Sequence, residues 1–326
     1  MKKISYRNAI REALLYKLKK DKNFNILGQG VTSPWYVGGS LHGLNNDYPD
    51  RIIEAPVSES LVTAVGFGAS MHKLNCLVIH PRMDFMLYAM DNIINHISKW
   101  NYIFGGEIES SITIRSIINR GGSQGAQHSQ SLHSLFAHIP GLYVVMPSNP
   151  SDAYNLLVAS INSPNPVLYI DDRWIYDEEE EFHKDNNLNI TDVRPRIIKK
   201  GKDITLVSSS YSTLIAKKAI SKLNKIGIFP ELIDLRVINP FYSDLIVKSV
   251  NKTGRLLAID GSNENCGLAN HILGATLSKI KLDKLKSNPQ IITLPSSPAP
   301  SSAVLENYYY PNEENIEKKV IQMLDG

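Results

Sequence analysis

The sequence predicts an α/β protein made of two parallel-sheet domains. Three observations carry that prediction. The chain has 326 residues, more than one ordinary domain and enough for two. Aliphatic runs of strand length alternate with amphipathic helical stripes up to residue 176. The same alternation resumes at Asp203 after an acidic interruption. Strands that alternate with helices build a sheet covered on both faces, which is why they read as continuous apolar runs.

Ile10, Ala13, Leu14 and Leu18 recur at helical spacing, so a helix is expected over 6–20. Phe24-Asn25-Ile26-Leu27 reads as a short strand ending at Gly28. Pro56-Val57-Ser58-Glu59 closes an extended segment and leads into a helix of small residues, Leu61 to Met71. Leu77 to Ile79 is of strand length, and Met86, Ala89, Met90, Ile93 and Ile97 give a second helical stripe. Strands follow at Ile112 to Ile118 and Leu142 to Met146, a helix over 151–162, and a closing buried strand at Val167 to Ile170. A first domain is therefore expected over residues 1–176.

Asp177 to Asn189 has no hydrophobic period and contains the acidic run Glu178 to Glu181, so residues 177–200 are expected to be a linker on the surface. A calcium loop would interleave its carboxylates with a glycine turn, and none is present. The second domain, 201–326, opens with the strand Ile204 to Val207 and a helix striped by Ile215, Ala219, Leu223 and Ile226, stopped at Gly227. Further strands are expected at Leu232 to Leu235, Leu256 to Ile259 and Gln290 to Leu294, with a helix over 268–280.

Composition narrows the class of function. Hydrophobic residues are 43% and charged residues 21%, which suits a folded globular chain. The 35 basic and 32 acidic residues leave a net charge of +3, with no clustered basic face for nucleic acid. Cys76 and Cys266 have neither metal-ligand spacing nor a disulfide framework and fit a reducing compartment. The N-terminus runs into an amphipathic pattern, not a long apolar core, so no membrane span is expected and a cytoplasmic location is.

Two motifs carry chemistry. Glu59 begins the small-residue helix, where a first-turn glutamate is favoured by the helix dipole; in a tight setting it could also hold a heterocyclic nitrogen and move a proton. Gly121-Gly122-Ser123-Gln124-Gly125-Ala126-Gln127-His128-Ser129-Gln130 is a glycine-rich loop carrying one imidazole after a strand, where sites of α/β sheets collect. Zinc at His128, His133 and His138 is disfavoured because a five-residue interval does not align side chains on a helix. His128 and Ser129 lack the elbow that a Ser–His nucleophile pair needs. Phe85 reads either as a core aromatic or as a platform under a flat ring. No run is suited to cradle a diphosphate and its metal, so the site is expected to be completed by a partner chain.

With these residues in place, the chain resembles the β subunit of the thiamine-diphosphate-dependent decarboxylase component of 2-oxo acid dehydrogenase complexes, of the pyruvate, branched-chain and acetoin types. The resemblance runs through Phe24 to Gly28, Arg51 to Glu59, Ala89 to Asn95, Gly121 to Gln130, Ala137 to Leu142, Val145 to Ser148, Asn165 to Val167, Ile233 to Arg236, Lys252 to Arg255 and Pro298 to Pro300. It implies a thiamine pyrimidine-binding domain followed by a transketolase C-terminal-like domain. It further implies a heterotetramer of two α and two β subunits with a β–β contact, in which the α subunit holds the diphosphate and magnesium. Glu59 matches the glutamate on the aminopyrimidine ring nitrogen, Phe85 the aromatic stacked on that ring, and Val57 an apolar residue lining the cofactor. His128 matches the histidine that binds the 2-oxo acid and assists acyl transfer. The implied substrate is a small 2-oxo acid, with pyruvate first, and the implied acceptor a lipoyl group on the acyltransferase component. A potassium site through the backbone of Ile112, Ser160, Ser163 and Asn165 is implied as well.

Two departures stand out. Leu27-Gly28 is followed by Gln29-Gly30, where the family often has two acids. His80-Pro81-Arg82-Met83-Asp84 precedes Phe85, where the family commonly has a run such as Gln-Phe-Ala-Asp. Arg82 is a candidate for recognising an anionic substrate or acceptor, because a guanidinium binds carboxylate or phosphate bidentately; a partner acid such as Asp84 is the competing role. The departures also keep open acyl transfer to a small molecule such as a sugar. A non-catalytic scaffold or regulatory subunit is the third reading, against which Glu59, Phe85 and His128 stand.

Overall fold

Ser5 opens the first helix, α1 (Tyr6–Lys20), by accepting the Asn8 backbone N–H at 3.4 Å, and Lys17, Lys19 and Lys20 occupy the last turn, where the dipole favours cations. The structure, a computed structural model, describes residues 3–33 and 37–325. It divides into two compact units: Met1–Arg120, Leu135–Val193 and Ile238–Pro240 in one, Gly121–Ser134, Arg194–Val237 and Phe241–Gly326 in the other.

The first unit is built on β1 (Phe24–Gly28), β2 (Ile52–Glu54), β3 (Asn75–His80), β4 (Ile112–Ile118), β5 (Tyr143–Val145) and β6 (Val167–Asp172). With the strand Val237–Asn239 at one edge, the sheet order is Val237–Asn239, β5, β6, β4, β3, β1, β2. The β5–β6, β6–β4, β4–β3, β3–β1 and β1–β2 pairings are all parallel. Every residue of β4 and β6 is buried, as expected of inner parallel strands covered on both faces. The helix α2 (Glu59–Met71) lies on β3, and α3 (Pro150–Ile161) lies against α1. Asn149 caps α3 by accepting the Asp152 N–H at 2.9 Å, and Pro150 takes the first turn, where its missing N–H costs nothing.

The second helical stripe is less regular than its periodicity suggests. It runs as a short α-helix (Met83–Met86), a 3₁₀ turn (Leu87–Ala89) and a π segment (Asn92–Ile97). The i→i+5 bond from Ser98 N to Ile93 O, 3.1 Å, widens the turn there, and both Ile93 and Ile97 stay fully buried. The acidic run also differs from expectation. It lies on the surface, yet Glu179–Glu181 pairs antiparallel with Lys3–Ser5, because an edge ribbon needs backbone partners and no apolar face.

A fully buried guanidinium sits inside this unit. Arg115 on β4 donates to both oxygens of Asp171 on β6, at 3.2 and 2.7 Å, to Ser40 Oγ at 2.8 Å and to Tyr176 OH at 3.0 Å, while Tyr176 OH donates to Asp171. Burial pulls the Arg115 pKa down, but Asp171 outweighs it and keeps the cation charged. Ser40 thereby anchors the far end of the excursion that follows β1.

The second unit has β7 (Arg196–Lys199), β8 (Thr205–Ser208), β9 (Glu231–Asp234), β10 (Leu256–Asn263) and β11 (Gln290–Leu294), in the order β11, β10, β8, β9, β7. All pairings are parallel except β9 with β7, which is antiparallel. Helices α4 (Ser210–Leu223), α5 (Asp244–Thr253), α6 (Leu268–Leu277), α7 (Ala303–Tyr309) and α8 (Glu313–Asp325) complete it. Ile215, Ala219 and Leu223 of α4 share a buried core with Ile316, Val320 and Met323 of α8. Gly227, at φ +82°, ends the helical run after Ile226 in the left-handed conformation that glycine takes without strain.

Candidate active site

The carboxyl ends of β1, β2 and β3 form one working edge of the first unit, the end of an open α/β sheet where ligands bind. Glu54, at the end of β2, accepts N–H bonds from Gly30 and from Thr32 (3.0 Å) and the Thr32 hydroxyl (2.9 Å), so it fixes the turn after Gln29. Five residues on, Glu59 is the first residue of α2 and is half-buried. Ser58 makes no side-chain cap bond, and Glu59 stands in the first turn, where the helix dipole favours a carboxylate.

Two contacts hold that helix at a fixed height. At Gly66 a Cβ would stand 2.3 Å from Val78 Cγ2 on β3, so only glycine lets the helix approach this closely. Thr63 Oγ1 meets His80 Nε2 at 2.9 Å, both buried, and burial pushes the His80 pKa down to about 4. His80 is therefore a neutral tie between α2 and the end of β3. Asn92 adds a third tie, donating to Ser60 O at 3.1 Å and Ser60 Oγ at 3.0 Å.

Phe85 lies half-buried in the short helix Met83–Met86 that follows β3, with Arg82 at its N-cap position. Val57 is 76% exposed on the approach to α2. Val57, Glu59, Arg82 and Phe85 thus all belong to the first unit and sit around the ends of β3 and α2. Sequence reasoning passed over the neighbours Asn119, Arg120 and Arg173. Asn119 donates to Pro81 O at 3.1 Å and accepts from Arg173 Nη1 at 3.1 Å, while Arg120 Nε pairs with buried Asp172 at 2.6 Å. The signal was present: Asp171-Asp172-Arg173 places three charges at the end of an otherwise apolar strand.

His128 belongs to the other unit. Its loop depends on left-handed backbone at Gly121 (φ +67°), Gly122 (φ +69°), Ser123 (φ +59°) and Gly125 (φ +74°). The Ser123 N–H donates to both oxygens of Glu306, at 3.1 and 3.0 Å, and a Cβ at Gly125 would stand 2.5 Å from Ser301 Oγ. The far end is held where His133 Nε2 meets Asp260 Oδ1 at 2.9 Å, both buried, and where Ser134 Oγ accepts the Leu268 N–H at 3.0 Å. His133 is thus a structural partner of Asp260, and no group of three His, Cys, Asp or Glu among the described residues is arranged to hold a metal.

The carbonyls considered for potassium tell a different story. Ser160 O accepts from Ser163 N at 3.1 Å, and Asn165 O from Ser163 Oγ at 2.8 Å. Ile112 lies within β4, and Lys17 Nζ donates to Asn162 Oδ1 at 2.8 Å. Two of the named carbonyls thus already accept one hydrogen bond each, and an ammonium stands at the adjoining turn.

The aminopyrimidine half of thiamine diphosphate does fit. A half-buried carboxylate at a helix start and a half-exposed aromatic after the adjoining strand supply a partner for a ring nitrogen and a surface for a flat ring.

Comparison with known proteins agrees with this geometry. Residues 2–176 match the family described as transketolase, pyrimidine binding domain, and residues 194–316 match transketolase, C-terminal domain. The chain is 32% identical to the acetoin:2,6-dichlorophenolindophenol oxidoreductase subunit beta of Cupriavidus necator, over 100% of this chain and 98% of that protein. It is 33% identical to the protein of the same name in Bacillus subtilis, over 98% and 97%. It is 31% identical to the pyruvate dehydrogenase E1 component subunit beta of Rhizobium meliloti, over 96% of this chain and 68% of that one. A split-gene transketolase, solved as an inactive β4 tetramer, superposes with a TM-score of 0.78 at 18% identity, over 99% and 98% of the two chains, which speaks for the fold. The fold class is thus a two-domain transketolase-type α/β protein. The chain belongs to the thiamine-dependent, transketolase-like family that includes the β subunits of pyruvate dehydrogenase E1 and acetoin oxidoreductase components.

Proposed function

We propose that this chain is the β subunit of a thiamine-diphosphate-dependent 2-oxo acid dehydrogenase that decarboxylates pyruvate and passes the acyl unit to a lipoyl group, active only with an α subunit. The observation that carries the reading is the placement of Glu59: a half-buried carboxylate at the start of a helix that Gly66, Thr63 and Asn92 fix against β3 and its neighbours. When bound, thiamine diphosphate would supply a carbon nucleophile and an electron sink for the loss of CO2. Glu59 holds and moves a proton at the pyrimidine ring nitrogen, Phe85 orients the ring by stacking, and Val57 excludes water beside it. His128 receives the 2-oxo acid and assists transfer of the acyl group. Arg82, near Asn119 and Arg173 at the same strand ends, attracts an anionic group of substrate or acceptor.

Helix α2 also favours a partner. Leu61 and Val65, four residues apart on the helix that carries Glu59, are 53% and 52% exposed, and Val57 just before that helix is 76% exposed. We assign this apolar surface to the α subunit, which brings the diphosphate and magnesium half of the site. A heterotetramer of two α and two β subunits, in the cytoplasm, is the corresponding assembly.

The relatives named for acetoin favour a second substrate reading, in which acetoin is the two-carbon donor. The deciding experiment uses the chain co-expressed with its candidate α partner, thiamine diphosphate, magnesium, and a panel of 2-oxo acids and acetoin, with an artificial electron acceptor. Turnover of pyruvate that is lost in Glu59→Gln supports the first reading. Turnover of acetoin alone supports the second, and a stable complex without turnover contradicts both.

A further inference from the structure

The first unit carries a cleft at the amino ends of β1, β3, β4 and β6, opposite the edge that carries Glu59. Its volume is about 860 Å³, within the range of small-molecule sites. Lys17 of α1 and Lys73 after α2 bring two cations to its walls, against three carboxylates from Asp21, Glu107 and Glu109. Lys17, only 6% exposed, donates to Asn162 Oδ1 at 2.8 Å and stands 3.6 Å from Asp21 Oδ2, so these two charges offset each other. An ammonium has three donors, which leaves Lys17 one for a ligand. Lys73, Glu107 and Glu109 are exposed at the cleft and give it one negative charge in excess.

Asn75 supplies an atom that calls for a donor. Its Nδ2 donates to Asp21 Oδ2 at 3.2 Å, and a carboxylate only accepts, so the amide is fixed in orientation. Its Oδ1, shielded from bulk water, accepts no hydrogen bond within the protein, although such oxygens are nearly always paired. The walls are held before any ligand arrives: the Asn23 N–H donates to Asp21 Oδ1 at 2.9 Å, and the Ser110 N–H to Asn101 Oδ1 at 3.0 Å. A preformed wall spares a ligand the cost of ordering it. Met71, Ile108 and Ile161 add apolar surface. A phosphate or a dicarboxylate would meet the excess negative charge, and a neutral zwitterion would leave Glu107 and Glu109 without a counter-charge. A carboxylate with an ammonium beside it, and a second cation at the end of a short methylene chain, matches every wall.

We propose that this cleft binds a free basic α-amino acid, of the lysine or arginine kind. Its carboxylate faces Lys17 and Lys73, and its α-ammonium faces Asn75 and Asp21. Its methylene chain lies on the apolar surface, and its terminal cation meets Glu107 and Glu109. A ligand with one net positive charge complements a site with one net negative charge. The inference does not depend on the proposed decarboxylation, because the cleft lies at the other end of the strands.

The test titrates the full chain with L-lysine by calorimetry, beside analogues that each lack one group. Cadaverine lacks the carboxylate, ε-aminocaproate the α-ammonium, and norleucine the terminal cation. Saturable binding of L-lysine is expected, with each analogue about tenfold weaker, since one charge-assisted bond is worth that much. Lys73→Gln should weaken L-lysine severalfold and leave cadaverine unchanged. Glu107→Gln combined with Glu109→Gln should weaken L-lysine severalfold and leave norleucine unchanged. All three side chains are exposed, so the fold tolerates these changes. Absence of saturable L-lysine binding overturns the inference. So does an analogue that binds as tightly as L-lysine, or L-lysine binding that neither variant alters.

Discussion

Glu59 and His128 are held in opposite ways. Glu59 stands on regular structure: a helix pressed onto a parallel strand, tied by one neutral hydrogen bond to His80 and by a glycine contact at Val78. His128 stands on irregular backbone: four left-handed residues, pinned at Ser123 by Glu306 and abutting Ser301 at Gly125. The first arrangement fixes a carboxylate through packing of the whole unit. The second fixes an imidazole through a few local bonds. A disturbance near Glu59 should therefore spread into stability, whereas one near His128 should remain in the transfer step.

The largest expected effect comes from the two groups themselves. Glu59→Gln should lower decarboxylation by about 100-fold or more while the complex stays assembled, since a positioned general acid–base contributes that much. His128→Ala should spare oxidant-coupled decarboxylation more than lipoyl transfer, and an equal loss in both assays would remove the distinction between the two regions.

Next comes acid stability at the Glu59 helix, which rests on a buried neutral histidine. His80 has a folded pKa of about 4 against an ordinary 6.5, so the unfolded chain takes up its proton first as pH falls. The contribution is complete above pH 6.5 and declines between 6.5 and 4, by about 3 kcal/mol. Denaturant titrations of the wild type and His80→Gln should diverge in pH slope over that window, and parallel curves would mean that His80 does not contribute.

The glycines sharpen the contrast. Gly66→Ala forces a Cβ within 2.3 Å of Val78 Cγ2 and should cost about 1–3 kcal/mol in a thermal melt. Gly125→Ala strains a residue at φ +74°, costing about 1 kcal/mol, with its main effect on acyl transfer. The smallest effect is expected for Glu306→Gln, which keeps an acceptor for the Ser123 N–H but not its charge: about 1 kcal/mol, read as a few-fold slower transfer.

The same contrast explains what the sequence disclosed. Inner strands such as Ile112 to Ile118 and Val167 to Ile170 were legible because burial on both faces leaves no polar residues to confuse the pattern. Helix α5 was not, because its buried face is half hydroxyl: Ser249 and Thr253 bond Thr205 Oγ1 at 2.7 and 2.8 Å. The strand Arg196–Lys199 and the ribbon at Glu179–Glu181 were missed for a related reason, since an edge strand needs only backbone partners. At the site, Glu59 and the glycine loop announced themselves through a helix start and glycine spacing. The ties that hold them, Thr63–His80 and Ser123–Glu306, join residues 17 and 183 positions apart and leave no local trace.

The central claim is that this chain carries half of a cofactor site and its partner the rest. Calorimetric titration of thiamine diphosphate with magnesium tests it directly, on the chain alone and on the chain co-purified with its α subunit. The account predicts binding in the micromolar range, about −8 kcal/mol, for the complex and no measurable binding for the chain alone. Micromolar binding to the isolated chain would contradict it.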